Sequence, residues 1–98
     1  MNIFGIGTDI IEVDRVKRAL LRNASFKEKV FTAEEIKYCS NKKDSYIHYA
    51  SRFAAKEAVF KSFGIKVNSY NFFKNIEILN NDSGAPYVVL YEDMLGFF

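Results

Sequence analysis

The chain has 98 residues, a formal net charge of +2 at pH 7, one cysteine and one histidine. This length fits a single small domain over residues 1–98, and the near-neutral charge argues against a general nucleic-acid-binding protein. A lone cysteine excludes an internal disulfide, and with a lone histidine it excludes a zinc cluster of cysteine and histidine ligands. The sequence shows no signal peptide and no run long enough to cross a membrane, so we expect a cytoplasmic protein.

The first predicted element is a strand over residues 3–11, an apolar run rich in β-branched side chains. Alternation along this strand places Asp9 on the same face as Gly5 and Gly7. Because the two glycines lack side chains, a ligand or another backbone could approach the Asp9 carboxylate closely. An isolated aspartate in this position is more often a strand-end or capping residue than a metal ligand, so both roles stay open.

A helix is predicted next, from Val13 to Arg22, with one apolar side. Three arginines follow the opposite side at i, i+3 and i+7 spacing, with no acid among these positions: Arg15, Arg18 and Arg22. Such a stripe suits either a solvated face or a dock for an acidic partner. Spacing alone does not choose between the two.

The polar segment from Asn23 to Val30 predicts a loop or a short helical turn. After it, Thr32 and Glu35 have the spacing of a capping box, in which each side chain satisfies a backbone N–H of the other residue. We therefore expect a short helix that runs to about Cys39. The cysteine itself is expected to be a packed thiol, since no activating base is evident near it in the sequence.

The longest predicted helix begins near Asp44, a good N-cap residue, and closes at Gly64, a good C′ residue. Glu57 falls within its apolar face, with Lys61 one turn further on. A carboxylate in an apolar stripe is costly unless a cation meets it. Two interpretations stay open: a Glu57–Lys61 surface pair, or a carboxylate that faces a bound metal with Lys61 beside it for an anionic ligand.

The last third of the chain predicts a β-hairpin. The segment 65–74 is mixed and has no clear assignment, whereas 75–79 and 85–91 have the composition of strands. The residues between them, 80–84, are dense in turn formers, and Pro86 is tolerated at the start of a strand. Together the elements predict an α+β domain in which a small antiparallel sheet packs with a long central helix and shorter helices.

Five short motifs follow one another along nearly the whole chain: Gly5–Val13, Phe31-Thr32-x-x-Glu35, Arg52–Ala58, Ile76–Ile78 and Gly84-x-Pro86. Their order and spacing resemble the holo-[acyl-carrier-protein] synthase family, the small 4′-phosphopantetheinyl transferases. The Arg-Phe-Ala-Ala-Lys-Glu-Ala string is the most specific of them. The resemblance implies the 4′-phosphopantetheinyl transferase fold.

The resemblance also implies an activity, the transfer of 4′-phosphopantetheine from coenzyme A to a serine of apo-acyl carrier protein. The transfer leaves adenosine 3′,5′-bisphosphate and serves fatty acid biosynthesis. It further implies a Mg²⁺ ion held by Asp9 and Glu57, since Mg²⁺ favours one or two carboxylates together with substrate phosphates. We predict that Lys61 neutralises charge on the leaving phosphate. Glu57 is one candidate for the acceptor of the serine proton, a role that the sequence does not assign.

Further residues gain roles by the same resemblance. Arg52 and Lys56, with Lys61, are expected to contact coenzyme A phosphates, and Gly84 and Pro86 are expected to border the nucleotide. The arginine stripe gains a partner, because acyl carrier proteins are acidic, and Arg15, Arg18 and Arg22 become candidates for that dock, with Arg15 foremost. The family is homotrimeric with active sites between subunits, which would account for the ten Phe and six Tyr of this short chain.

The chain departs from the family pattern at its end. Family members continue through a strand that carries Ser-x-Ser-His and lines the coenzyme A site, and this sequence stops before it. We therefore expect either a truncated sequence or a divergent tail on a weakened enzyme. The rival functions are a catalytically impaired coenzyme A-binding or assembly module of the same fold, and a nucleic-acid-binding domain built on the arginine stripe, which the near-neutral charge disfavours.

Overall fold

The computed structural model describes residues 10–65 and 72–91, and these ranges contain four α-helices and one two-stranded antiparallel sheet. The predicted α+β class, with a small sheet against a long central helix and shorter helices, is confirmed. One turn of 3₁₀-helix, Phe73–Asn75, leads into the first strand. The elements in chain order are α1 (Ile10–Arg22), α2 (Ala24–Val30), α3 (Ala33–Ser40), α4 (Ser45–Ser62), β1 (Ile76–Asn80) and β2 (Pro86–Leu90).

Helix α1 begins earlier than the sequence predicts. Residues 10 and 11, assigned above to the first strand, belong to the helix, and the rest of that predicted strand, residues 3–9, lies outside the described residues. The apolar side of the helix is as predicted, because Val16 is buried and Val13 and Leu20 pack against the core. The opposite side faces solvent and carries the arginines.

Residues 24–30 form the helix α2, so the helical alternative for this polar segment is the correct one. The side chain of Asn23 accepts a hydrogen bond from the backbone N–H of Ser25 at 3.1 Å and caps the first turn. Phe26 and Val30, four residues apart on one face, are both buried. Burial of these two apolar side chains docks the short helix, which is otherwise mostly polar, on the core.

Helix α4, at 18 residues the longest in the described ranges, begins and ends where the sequence predicts. Asp44 occupies the N-cap position without a side-chain capping bond, and its carboxylate lies 3.2 Å from Nε2 of His48 instead. At the other end Gly64 has a φ of +75°, a conformation that favours glycine. The N–H groups of Gly64 and Ile65 donate to the carbonyls of Lys61 and Phe60, a Schellman closure. None of the helices in the described ranges combines the length and apolar character needed to span a membrane.

Aromatic rings occupy much of the space between α4 and its neighbours. The Phe73 ring stacks on Phe60 with centroids 5.0 Å apart and lies 5.4 Å from the ring of Phe53. A further pair, Phe31 and Tyr49, meets edge-on at 4.9 Å. Other rings are exposed on the described surface: Phe63, Phe72, Tyr87 and Tyr91. The aromatic surplus is therefore divided between core and surface, and its use at a subunit interface stays a prediction.

The capping box at the start of α3 is confirmed and reaches into the core. Glu35 Oε1 accepts the backbone N–H of Thr32 at 2.8 Å, and the Thr32 hydroxyl accepts the N–H of Glu35 at 3.3 Å. The second oxygen of Glu35 accepts the N–H of Ile78 in β1 at 2.9 Å. One fully buried carboxylate thus joins α3 to the sheet.

Lys56 of α4 supplies the cation that this carboxylate needs. Its Nζ lies 2.6 Å from Glu35 Oε1 and donates to the carbonyls of Val30 at 2.7 Å and Phe73 at 3.0 Å. The side chains of Lys56 and Glu35 are both 0% exposed. Burial lowers the pKa of the Lys56 ammonium, and the Glu35 carboxylate opposes that effect. The pair ties the end of α2, the start of α3, the middle of α4 and the entry to β1 to one point.

Cys39 is fully buried beside this polar cluster, so the predicted packed thiol is confirmed. Burial raises the pKa of the thiol to about 11, although the positive charges of Arg52 and Lys56 act in the opposite direction. The thiolate is therefore almost absent at neutral pH.

Strands β1 and β2 pair antiparallel as the predicted hairpin, with Ile76 opposite Leu90 and Asn80 opposite Pro86. The Asn81 side chain shapes the turn, since its Oδ1 accepts the backbone N–H groups of Ser83 at 3.0 Å and Ala85 at 2.9 Å. Gly84 completes the turn with a φ of +88°. Pro86 opens β2, in the first position that was expected for it.

Candidate functional site

Glu57 lies where α4 meets α1, and its side chain is 23% exposed. Its Oε1 lies 3.4 Å from Nη2 of Arg15, and the same nitrogen contacts a carboxylate oxygen of Glu12. Lys61, one turn further along α4, is exposed. In the described part of the chain, the ion-pair partner of Glu57 is thus Arg15 across the helix contact, and the alternative of a Glu57–Lys61 pair is not the one observed.

The surroundings of Glu57 alter its acidity. Burial raises the pKa of this carboxyl above its ordinary value of 4.5, and the neighbouring carboxylate of Glu12 acts in the same direction. The positive charges of Arg15 and Lys61 lower the pKa but do not outweigh the burial. A half-buried acid with a shifted pKa, beside a second acid and a cation, is typical of a functional site.

The raised pKa of Glu57 has a measurable consequence. We expect Glu57 to lose its proton above pH 4.5 in the metal-free protein, and the midpoint to move higher still in Arg15→Ala. Between 4.5 and the raised pKa the folded chain holds the proton more tightly than the unfolded chain. The contribution of this group to stability is therefore complete below pH 4.5 and lost as pH rises through the folded pKa. Carboxyl-carbon NMR of Glu57 checks the prediction, and a midpoint at or below 4.5 would contradict it.

The fit of Glu57 to a metal can be tested on these contacts. Mg²⁺ prefers carboxylate oxygens and keeps several waters, so a partly exposed carboxylate suits it better than a closed cage. The carboxylate already has a positive group beside it, which shows that cationic charge is accommodated at this point. Among the described residues there is no group of three or more His, Cys, Asp and Glu side chains arranged for a metal. The second predicted ligand, Asp9, lies outside the described residues, and a metal held by Asp9 and Glu57 stays a prediction.

Three of the residues predicted to bind coenzyme A meet in one cleft of about 290 Å³: Arg52, Gly84 and Pro86. Arg52 is only 2% exposed overall, and its Nη2 donates to Asn80 Oδ1 at 2.6 Å. Its guanidinium lies 4.2 Å from the centroid of the Tyr38 ring, so the aromatic face and the amide fix its direction. The guanidinium is therefore held in a fixed direction beside the turn of the hairpin, with little of its surface open to a ligand. That the cleft holds coenzyme A stays a prediction.

The cleft also contains residues that the sequence interpretation did not single out. Asp44, His48 and Ser51 line it beside Arg52. Together with Arg52 they lie along α4 and its N-cap at positions i, i+4, i+7 and i+8, the spacing of one helical face. A search for polar residues at helical spacing around Arg52 would have found them.

Lys56 lies away from this cleft, in the core. Its ammonium has no exposed surface and is held by Glu35 and two backbone carbonyls. This position assigns Lys56 a structural role. Its contact with a coenzyme A phosphate stays a prediction, which this burial disfavours.

The arginine stripe is less cationic than the sequence suggests. Arg15, Arg18 and Arg22 are all exposed, as expected. The stripe positions themselves contain no acid, but neighbouring acids pair with them, because Arg18 pairs with Asp14 at 2.8 Å and Arg15 contacts Glu12. The acids precede the arginines by three or four residues on the same helix, where side chains are neighbours. The acidic-partner dock stays a prediction.

The sequence of this chain is similar to a protein-family model and to several known proteins. A model of the 4′-phosphopantetheinyl transferase superfamily matches residues 5–97. A protein of Ruminiclostridium cellulolyticum named holo-[acyl-carrier-protein] synthase is 54% identical over 87 residues, which cover 87% of this chain and 65% of that protein. Proteins with the same name from Clostridium acetobutylicum and Cytophaga hutchinsonii are 49% and 44% identical and cover 90% and 89% of this chain. The chain spans about two thirds of the length of these relatives, 65%, 70% and 68% in turn.

Proposed function

This chain belongs to the 4′-phosphopantetheinyl transferase superfamily, and from that premise we propose that it is a holo-[acyl-carrier-protein] synthase. The proposed reaction transfers 4′-phosphopantetheine from coenzyme A to a serine of apo-acyl carrier protein, for use in fatty acid biosynthesis. The observation that carries the proposal is the cleft in which Arg52, Gly84 and Pro86 converge. Arg52 lies on helix α4, which also carries Glu57. Residues of motifs that are separated in sequence line this one cleft, which supports the proposal that it binds the substrate.

The proposed chemistry needs a positioned nucleophile and neutralised charge. The serine oxygen attacks the pantetheine-side phosphorus of the coenzyme A pyrophosphate, and the bond from that phosphorus to the bridging oxygen breaks. Adenosine 3′,5′-bisphosphate leaves, and the serine proton passes to a base, for which Glu57 is our candidate. Mg²⁺, held by Asp9 and Glu57, would supply positive charge at the pyrophosphate oxygens. Lys61, exposed near Glu57 on α4, is proposed to stabilise the leaving phosphate.

The separation of the two halves of this site supports an oligomer. Five residues along an α-helix give a rise of about 7.5 Å and a rotation of about 140°, so Arg52 and Glu57 face different sides of α4. One subunit then presents its nucleotide cleft and its metal carboxylate on separate faces. We propose a homotrimer in which the active sites are completed between subunits, in the cytoplasm, with the acidic carrier docking near Arg15, Arg18 and Arg22.

Incubation of the protein with coenzyme A, Mg²⁺ and apo-acyl carrier protein tests the proposal. We expect the carrier to gain the mass of one phosphopantetheine group, and a chelator of divalent ions to abolish the gain. Intact-protein mass spectrometry of the carrier is the measurement. Coenzyme A binding without any mass gain would overturn the transferase proposal in favour of a catalytically impaired coenzyme A-binding or assembly module.

A further inference from the structure

The side chain of Arg15 stands between the two binding surfaces of the proposed reaction. On one side its Nη2 lies 3.4 Å from Glu57 Oε1 and contacts Glu12, and its guanidinium lies 5.4 Å from the centroid of the Phe53 ring. On the other side it is open to solvent, with the side chain 55% exposed. One guanidinium therefore reaches both the carboxylate proposed for the metal and the helix face proposed for the acidic partner.

We propose that Arg15 couples metal binding to carrier docking: it acts as the counter-ion of Glu57 until a divalent ion takes that carboxylate, and then turns to a carboxylate of the carrier. This inference rests on the proposed function and concerns the order and strength of binding in that reaction. It makes Arg15 a positioning residue for the metal site in addition to a contact for the partner.

The physical reason is competition between cations for one carboxylate. A guanidinium beside Glu57 repels an incoming divalent ion and occupies one of the oxygens that the ion would use. An acidic partner that draws Arg15 outward removes this repulsion and strengthens metal binding. Linkage then requires the metal to strengthen partner binding by the same factor.

The electrostatics of the cluster agree with such an exchange. The same Nη2 of Arg15 contacts Glu12 and lies 3.4 Å from Glu57 Oε1, so the guanidinium interacts directly with both carboxylates. Glu12 also holds the guanidinium from its own helix, which keeps Arg15 near the exchange point in both states. Because Arg15 is more than half exposed, solvent weakens the coupling, and we expect a factor of about two to five.

The first measurement is the affinity for Mn²⁺, used as the probe ion and followed by electron paramagnetic resonance or calorimetry without carrier. Arg15→Ala is expected to bind Mn²⁺ about two- to fivefold more tightly than the wild type. Lys17→Ala is the matched control, since it removes one positive charge from an exposed position of the same helix that has no proposed role in binding. We expect its Mn²⁺ affinity to equal that of the wild type.

The second measurement is the affinity for apo-acyl carrier protein with and without Mn²⁺. In the wild type and in Lys17→Ala, Mn²⁺ is expected to tighten carrier binding about two- to fivefold, and in Arg15→Ala this ratio should fall to one. Unchanged or weaker Mn²⁺ binding in Arg15→Ala, or equal shifts in both variants, would overturn the coupling while leaving the transferase proposal intact. Mn²⁺ binding that survives Glu57→Gln, or is absent from the wild type, would instead overturn the metal site and the coupling with it.

Discussion

Replacement of Glu57 by glutamine is expected to reduce Mg²⁺-dependent phosphopantetheine transfer by about 10²- to 10³-fold or more, the scale on which a single well-placed charge-stabilising group acts. The amide keeps the shape of the side chain but loses the negative charge that a Mg²⁺ ligand requires. The fold should survive, because Glu57 is partly exposed at the α1–α4 contact and its one described ion pair is the long contact to Arg15. Transfer rates measured by carrier mass, together with the thermal unfolding temperature, check both statements.

Glu34→Gln provides the control for charge. Glu34 is an exposed acid in the first turn of α3, so its replacement changes the net charge equally but leaves the candidate site alone. We expect wild-type transfer in this variant. Asp9→Asn, in contrast, is expected to lose transfer to the same extent as Glu57→Gln. Retained activity in Glu57→Gln, with Mg²⁺ still required, would remove Glu57 from the metal site.

Replacement of Lys56 by methionine is expected to lower the free energy of unfolding by about 3 to 5 kcal/mol, as for other buried ion pairs that lose one partner. Methionine fills a similar volume, so the loss comes from charge and hydrogen bonding rather than from a cavity. Glu35 would be left as a buried carboxylate without its cation, and the carbonyls of Val30 and Phe73 would lose a donor. Urea unfolding followed by circular dichroism measures the change.

Lys37→Met is the matched control for this variant. Lys37 is exposed on α3, and substitutions at such positions usually change the free energy of unfolding by no more than about 0.5 kcal/mol. A domain of this size can be unfolded in buffer by a loss of 5 kcal/mol, and an unfolded Lys56→Met variant would also agree with the prediction. A Lys56→Met protein as stable as Lys37→Met would contradict the central role of the buried pair.

The elements that the sequence predicts correctly are those specified by local signals. The capping box of Thr32 and Glu35, the closure at Gly64 and the hairpin turn before Pro86 each depend on residues a few positions apart. Such signals act through backbone hydrogen bonds that do not need the rest of the fold. For the segment of α2 the sequence leaves a loop and a short helical turn open, because Phe26 becomes a helical core residue only through contacts with rings elsewhere in the chain.

The candidate site is less accessible to sequence reasoning, because its partners lie far apart in the chain. Arg15 and Glu57 are 42 positions apart, and Lys56 and Glu35 are 21 positions apart. Helical periodicity placed Glu57 correctly on α4 but gave no means of choosing Arg15 over Lys61 as its partner. It also gave no sign that Lys56, next in sequence to Glu57, is committed to the core. Family likeness groups Arg52, Gly84 and Pro86, whereas the polar residues beside Arg52, such as His48, follow from helical spacing along α4.

The buried thiol of Cys39 is a natural probe of whether the core is intact. Alkylating agents and oxidants react with a thiolate, and a sulfur buried within the core with a pKa of about 11 offers them almost none while the domain is intact. Cys39 belongs to the core cluster on α3, so a reagent reaches this atom only when the packing around α3 opens. The rate of chemical modification of Cys39 therefore reports how often the core around this residue opens, without an added label.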